Sequence, residues 1–92
     1  MSFRVIYHPD VRVDIALINE RLKIRVKKAI ETRLTTEPEK YGVPLRRTLK
    51  GYWKMRVGDY RIIFRVSRDE IIIFGIQHRK SVYGAIGKRL SP

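Results

Sequence analysis

Residues 51–64 read Gly51-Tyr52-Trp53-Lys54-Met55-Arg56-Val57-Gly58-Asp59-Tyr60-Arg61-Ile62-Ile63-Phe64. Two strand-like runs flank Gly58-Asp59, and a two-residue loop with glycine first favours a type II′ hairpin. Side chains alternate faces along a strand, so Trp53, Met55 and Val57 share one face, and Tyr60, Ile62, Phe64 and Val66 another. With Gly58-Asp59 as the whole loop, Val57 lies opposite Tyr60, Met55 opposite Ile62 and Trp53 opposite Phe64. Both apolar faces then coincide, and this fixes register in a half-buried sheet. The other face collects Lys54, Arg56, Arg61 and Arg65, with Arg56 directly opposite Arg61. Like charges facing each other across strands are destabilising. An oxyanion, most simply a phosphate, would relieve that repulsion and satisfy several donors at once.

Working outward, Glu70–His78 reads as a third strand, apolar on both faces at Ile71-Ile72-Ile73-Phe74 and therefore central. An Arg68-Asp69 loop pairs Phe64 with Ile73, sets Arg61 against Ile76, and carries His78 onto the charged face. Arg79 and Tyr83 follow just beyond the strand. Residues 79–90 predict a short terminal helix or turn, with Val82, Ile86 and Leu90 at spacings of four. Upstream, residues 2–7 predict a first strand. His8-Pro9-Asp10 opens a short helix over 9–18 through Val11, Ile15 and Ile18. Beyond a break at Asn19-Glu20, the residues Leu22, Val26, Ala29, Ile30 and Leu34 form a second helical stripe. Residues 35–44 read as a loop, and 44–49 as an edge strand or irregular lead-in. The order β-α-α-β-β-β predicts one α+β domain over residues 1–92: a small antiparallel sheet, a helical hairpin on one face, and a short C-terminal helix.

Composition narrows the function. The chain has 92 residues, 21 Lys and Arg against 9 Asp and Glu, and a net charge of +12. Residues 45–92 carry 12 basic and 3 acidic side chains. So strong a self-repelling field suggests a polyanionic partner, nucleic acid first. With no cysteine there is no disulfide, thiolate nucleophile or cysteine zinc site. His8 and His78 are too far apart in sequence to suggest a metal site. No run approaches a membrane span, and a cytoplasmic protein without membrane contact or cofactor is expected.

The hairpin followed by His78-Arg79-Lys80-Ser81-Val82-Tyr83 resembles the RelE/ParE toxin superfamily of toxin–antitoxin modules. That resemblance covers nearly the whole chain and implies a RelE-like fold. The superfamily holds two activities, and the fold alone does not choose between them. One branch is an mRNA interferase, an endoribonuclease that cleaves mRNA in the ribosomal A site by attack of a ribose 2′-hydroxyl on the adjacent phosphate. The other inhibits DNA gyrase and generally lacks the cleavage set. Lys54, Arg56, Arg61, Arg79 and Tyr83 match the cleavage set, which favours the ribonuclease and a metal-independent reaction. The implied partners are the ribosome with its mRNA and a cognate RelB-like antitoxin bearing an acidic or amphipathic toxin-binding segment. Operator DNA would be met only through the antitoxin complex. A noncatalytic nucleic-acid-binding module is the reading from a different class.

Cleavage by an internal 2′-hydroxyl needs a base, donors for the developing phosphorane charge, and an acid for the 5′-oxygen. Arg61 and Arg56 are the phosphate clamps, and Arg79 is the donor to the leaving oxygen or phosphate. Tyr83, Lys54 and His78 are alternative bases. Arg65, Lys80 and His78 are expected RNA contacts, and Tyr52 and Phe74 are aromatics that can stack on a base. Trp53 reads as core. Lys23, Lys27 and Lys28 on the second helix, with Arg21 and Arg25, are either an ordinary solvated surface or contacts to RNA backbone.

Overall fold

A computed structural model describes residues 2–90. Its sheet has five strands: β1 (Arg4–Tyr7), β2 (Val43–Pro44), β3 (Trp53–Val57), β4 (Tyr60–Ser67) and β5 (Glu70–His78), in the order β1-β5-β4-β3-β2. The helices are α1 (Val11–Ala16), α2 (Glu20–Ala29), α3 (Pro38–Tyr41) and α4 (Val82–Leu90), and a π-helical turn at Ile30–Leu34 prolongs α2. The α+β architecture is the expected one. Strands β2 to β5 are antiparallel, while β1 joins β5 in parallel, Val5 opposite Ile71 and Tyr7 opposite Ile73. None of the helices among the described residues is long and apolar enough to cross a membrane.

The hairpin register is as read. Trp53 faces Phe64, Met55 faces Ile62, Arg56 faces Arg61 and Val57 faces Tyr60. Gly58 has φ 58°, as a glycine-first turn requires. The helix-facing side chains of β3, β4 and β5 bury Met55, Ile62, Phe64, Ile71 and Ile73 against Val11 and Ile18 of the α1 segment and Val26, Ile30 and Leu34 of the α2 segment. Asn19 does more than break the chain, because its side chain caps α2 by accepting from the Leu22 N–H at 2.9 Å.

Three expectations change. The loop over 35–44 contains the one-turn helix α3, opened by Pro38. The lead-in over 44–49 resolves into the two-residue β2 and a 3₁₀ turn at Arg47–Leu49. The register of β5 slips at a bulge between Ile63 and Phe64: Phe64 still faces Ile73, but Ile62 faces Ile76, Arg61 faces Gln77 and Tyr60 faces His78. One extra residue in β5 reverses the facing of everything after it.

The sheet is covered on both faces. Helix α4 lays Val82 and Ile86 over Ile63 and Leu45, with Tyr52, Phe74, Leu49 and Leu90 around them. This second cluster covers the middle of the sheet face that carries Lys54 and Arg61.

Candidate RNA-cleaving site on the β3–β4 hairpin

The basic residues of the hairpin divide into distinct groups. Lys54 stands on β3, half-buried, where the short β2 still covers the strand edge opposite Val43. Tyr83 lies in the first turn of α4, 50% exposed. The two meet: Lys54 Nζ donates to the Tyr83 hydroxyl oxygen at 2.8 Å and lies 5.6 Å from the ring centroid. A residue 29 positions along the chain is thus brought to Lys54 by α4 packing across the sheet.

A second group gathers at the hairpin tip. Arg61 Nη1 donates to the carbonyls of Gly58 at 3.1 Å and Tyr60 at 3.0 Å, which holds its guanidinium against the turn. The Arg79 N–H donates to the Asp59 carbonyl at 2.8 Å, and Arg79 Nε lies 3.6 Å from the Asp59 carboxylate. Arg79 remains largely exposed. Arg61 is the diagonal cross-strand neighbour of Lys54, which sits opposite Ile63, so their backbones are about 7–8 Å apart. Lys54 and Arg61 therefore share one strand face, with Tyr83 against Lys54 and Arg79 held at the turn by Asp59.

The other sequence-predicted residues lie apart. Arg56, on the β3 edge beyond β2, lines a cleft with Arg25, Lys28 and Arg33. Arg65 is exposed four residues from Arg61 on β4, about 13 Å along the strand. His78 is carried by the bulge to the helix-facing side, edge-to-face with Tyr60 at 5.5 Å, its Nδ1 accepting from the Lys80 N–H at 3.2 Å. Its expected position on the charged face is thereby corrected. Lys80 is exposed in the turn before α4. Tyr52 and Phe74 meet edge-to-face at 5.2 Å within the cluster beneath α4. Lys23 and Lys27 border an apolar groove on the side of α2 facing α1.

One structural arrangement escaped the sequence reading. Asp14 is 2% exposed, and its carboxylate accepts from the Ile76 N–H at 2.9 Å, from the Gln77 side-chain amide, and from Arg89 at 2.8 and 3.1 Å. Arg89 also donates to the Phe74 carbonyl at 2.9 Å. The hydrogen bond to Asp14 raises the Arg89 guanidinium pKa further, against the opposing pull of desolvation. The signal was present: Asp14 stands three residues after Val11 and four before Ile18, an acid within an apolar helical stripe.

Comparison with known proteins gives this geometry its context. A family model described as ParE toxin of type II toxin-antitoxin system, parDE, matches residues 5–83. Toxin RelG of Mycobacterium tuberculosis is 29% identical over 85 residues, covering 90% of this chain and 98% of that protein. The toxin–antitoxin complex RelBE2 of M. tuberculosis contains a chain that superposes with a TM-score of 0.81 at 28% identity, over 86% of this chain and 93% of that one. YafQ from E. coli shares the fold, with a TM-score of 0.63 at 18% identity over 89% of this chain and 99% of its own. A match over residues 5–83 spans most of the described fold, from β1 to the tyrosine of α4, and by it the chain belongs to the ParE toxin family of type II toxin–antitoxin systems, within the RelE/ParE superfamily.

Proposed function

We propose that this toxin is a ribosome-dependent endoribonuclease that cleaves mRNA in the A site by attack of a ribose 2′-hydroxyl on the adjacent phosphate. The observation that carries the reading is the 2.8 Å contact from Lys54 Nζ to the Tyr83 hydroxyl, with Arg61 and Arg79 beside it at the hairpin tip. A hydrogen bond from an ammonium is charge-assisted and strengthens as the accepting oxygen gains negative charge. In its phenolate form, paired with the Lys54 ammonium, Tyr83 then takes the 2′-hydroxyl proton and becomes the neutral phenol. Arg61 and Arg79 receive the charge that develops on the phosphorane oxygens. Arg79 also donates to the departing 5′-oxygen, which takes its proton from water as the P–O5′ bond breaks. His78, on the opposite face, has no part in this reaction.

Related structures include toxins held by antitoxins, RelB with RelE in Methanococcus jannaschii and DinJ with YafQ in E. coli. A cognate antitoxin is proposed here too, with a surface suited to it. A groove of about 340 Å³ between α1 and α2 is lined by Tyr7, Ile15, Ile18, Val26, Ile30 and Ile76, with Lys23 and Lys27 at its border. Apolar walls with a cationic border fit an amphipathic segment carrying acidic side chains.

The test is a purified translation system with programmed ribosomes. Wild-type toxin should cut the A-site codon. Tyr83→Phe and Lys54→Ala should each lower single-turnover cleavage by about 10²–10⁴-fold, the usual contribution of a positioned proton-transfer group. Intact mRNA together with inhibited DNA supercoiling would instead establish gyrase inhibition, the reading favoured by the ParE name of the matching family.

A further inference from the structure

Helix α2 has a second chemically distinct side. Opposite the apolar groove, Arg25, Lys28, Ala29 and Thr32, at spacings of three and four, face the β3 edge. With Arg33, Arg56, Val57 and Gly58 they enclose a cleft of about 300 Å³. Four cations line it and no acid does. The side chains of Arg25, Lys28 and Arg56 have no ion-pair or hydrogen-bond partner among the described residues, and that of Arg33 only lies over the Tyr41 ring at 5.6 Å. The Thr32 hydroxyl is committed as a donor to the Lys28 carbonyl at 2.7 Å.

The hairpin turn is shaped to this cleft. Any Cβ on Gly58 would stand 3.2 Å from Arg25 Nη1, so the glycine that makes the turn also lets the Arg25 guanidinium lie against it. Beyond β2, which covers only Trp53 and Lys54, the β3 edge is open at Arg56. The cleft is therefore continuous, around that edge, with the surface bearing Lys54, Arg61 and Tyr83. Arg56 is two residues from Lys54, about 7 Å along the strand, a spacing comparable to that between neighbouring phosphates of an extended strand.

From this geometry we infer that the α2–β3 cleft is a phosphodiester-binding subsite, holding RNA backbone next to, but separate from, the phosphate undergoing cleavage. The inference deepens the proposed ribonuclease function and takes the identity of its partner from that reading. Three guanidiniums and an ammonium suit phosphate oxygens. The cleft offers little apolar surface to anchor a peptide side chain, whereas the groove across α2 is built for that. Arg56 accordingly belongs with Arg25, Lys28 and Arg33 as a binding residue rather than with the groups that transfer protons.

The test compares Arg25→Gln/Lys28→Gln with the control Arg12→Gln/Lys88→Gln, which removes the same charge from exposed positions on α1 and α4. The probes are a fluorescent 2′-O-methyl dodecauridylate, which lacks the nucleophile, and programmed ribosomes. Dissociation constants are measured across a potassium chloride series. In the cleft variant the salt slope for the oligonucleotide should fall by about 1.4, from two lost contacts at about 0.7 each. Its affinity should drop about fivefold or more relative to the control at 0.1 M salt. A loss seen with the free oligonucleotide assigns the cleft to the messenger strand; a loss confined to ribosomes assigns it to ribosomal RNA. Both support the subsite. Equal behaviour of the cleft and control variants would overturn it, as would unchanged RNA binding with lost binding of a polyglutamate peptide. Because binding is read without cleavage, a wild-type protein that cuts nothing while the cleft variant still loses RNA would sink the nuclease reading and leave the subsite standing.

Discussion

Replacing Asp14 with alanine should be the most costly single substitution of a polar residue in this fold. The carboxylate occupies a place where the sheet runs out of backbone partners. Strand β1 ends opposite Ile73, so β5 has an open edge at Ile76, and Asp14 accepts that N–H at 2.9 Å. Alanine orphans it, at about 1–3 kcal/mol for a buried donor. Arg89, only 12% exposed at its side chain, loses two hydrogen bonds and keeps the Phe74 carbonyl at 2.9 Å and Asp10 at 3.5 Å. Removing one partner of a buried pair usually costs about 3–5 kcal/mol. The surviving Asp10 contact places this case near the lower end, about 3 kcal/mol. For a domain of this size, with total stability about 5–14 kcal/mol, that lowers the melting temperature by about 12–24 °C. Urea unfolding followed through Trp53, stacked 6.4 Å from Phe64, reports it directly. A double-mutant cycle with Arg89→Met should give a coupling of about 2 kcal/mol, and Asp14→Leu/Arg89→Met should recover much of the loss, since no charge is then left unpaired. A cost below about 1 kcal/mol, or a coupling near zero, would show that the pair is not what ties α4 to the sheet.

Other perturbations test separate parts of the structure. A Cβ at Gly75 would overlap Ile86 Cδ1, so Gly75→Ala should cost about 1–3 kcal/mol; Ile86→Val removes that atom, and the double variant should be more stable in urea than Gly75→Ala alone. Arg68 holds φ 56° in the β4–β5 turn, and Arg68→Gly should raise the unfolding free energy by about 0.5–1 kcal/mol. Burial, and secondarily Glu31, raise the Tyr7 pKa above 10.0. The unfolded chain then ionises first, so this tyrosine's contribution to stability is full below pH 10 and lost as pH rises through the folded value. Tyr7→Phe should flatten the alkaline decline in unfolding free energy, and an unchanged decline would place its origin elsewhere.

The legible parts of the fold were those where only one arrangement buries the apolar side chains. In the β3–β4 hairpin, a one-residue slip would expose Trp53, Met55, Ile62 and Phe64 together, so alternation alone sets the register. Strand β5 offers no such restraint. Ile71, Ile72, Ile73, Phe74 and Ile76 are apolar on both faces, a bulge costs little pattern, and the bulge at Ile63/Phe64 was invisible. That one residue moved His78 to the wrong face. The parallel β1 was equally hidden, because four residues carry too little pattern to name a partner. For the site, Lys54 and Tyr83 were legible as residue types, but their contact depends on α4 crossing the sheet. Ile63, fully buried on the face that otherwise carries Lys54 and Arg61, was the trace of that crossing.

Net charge therefore means different things at different places on this molecule. On the hairpin face, cations are held in fixed poses by Tyr83, by turn carbonyls and by Asp59, an order that suits chemistry on a positioned group. In the α2–β3 cleft they are unpaired and mutually repulsive, an arrangement that gains stability whenever a polyanion enters. Along the α1–α2 groove, Lys23 and Lys27 border apolar walls, where charge selects a partner and buried area supplies the affinity. Helix α2 separates the last two, so an occupant of the groove does not compete directly for the cleft. The groove reaches Ile76, whose N–H Asp14 holds, and the same carboxylate fixes Arg89 on the helix that carries Tyr83. A short chain of contacts thus joins the proposed antitoxin surface to the helix that carries Tyr83.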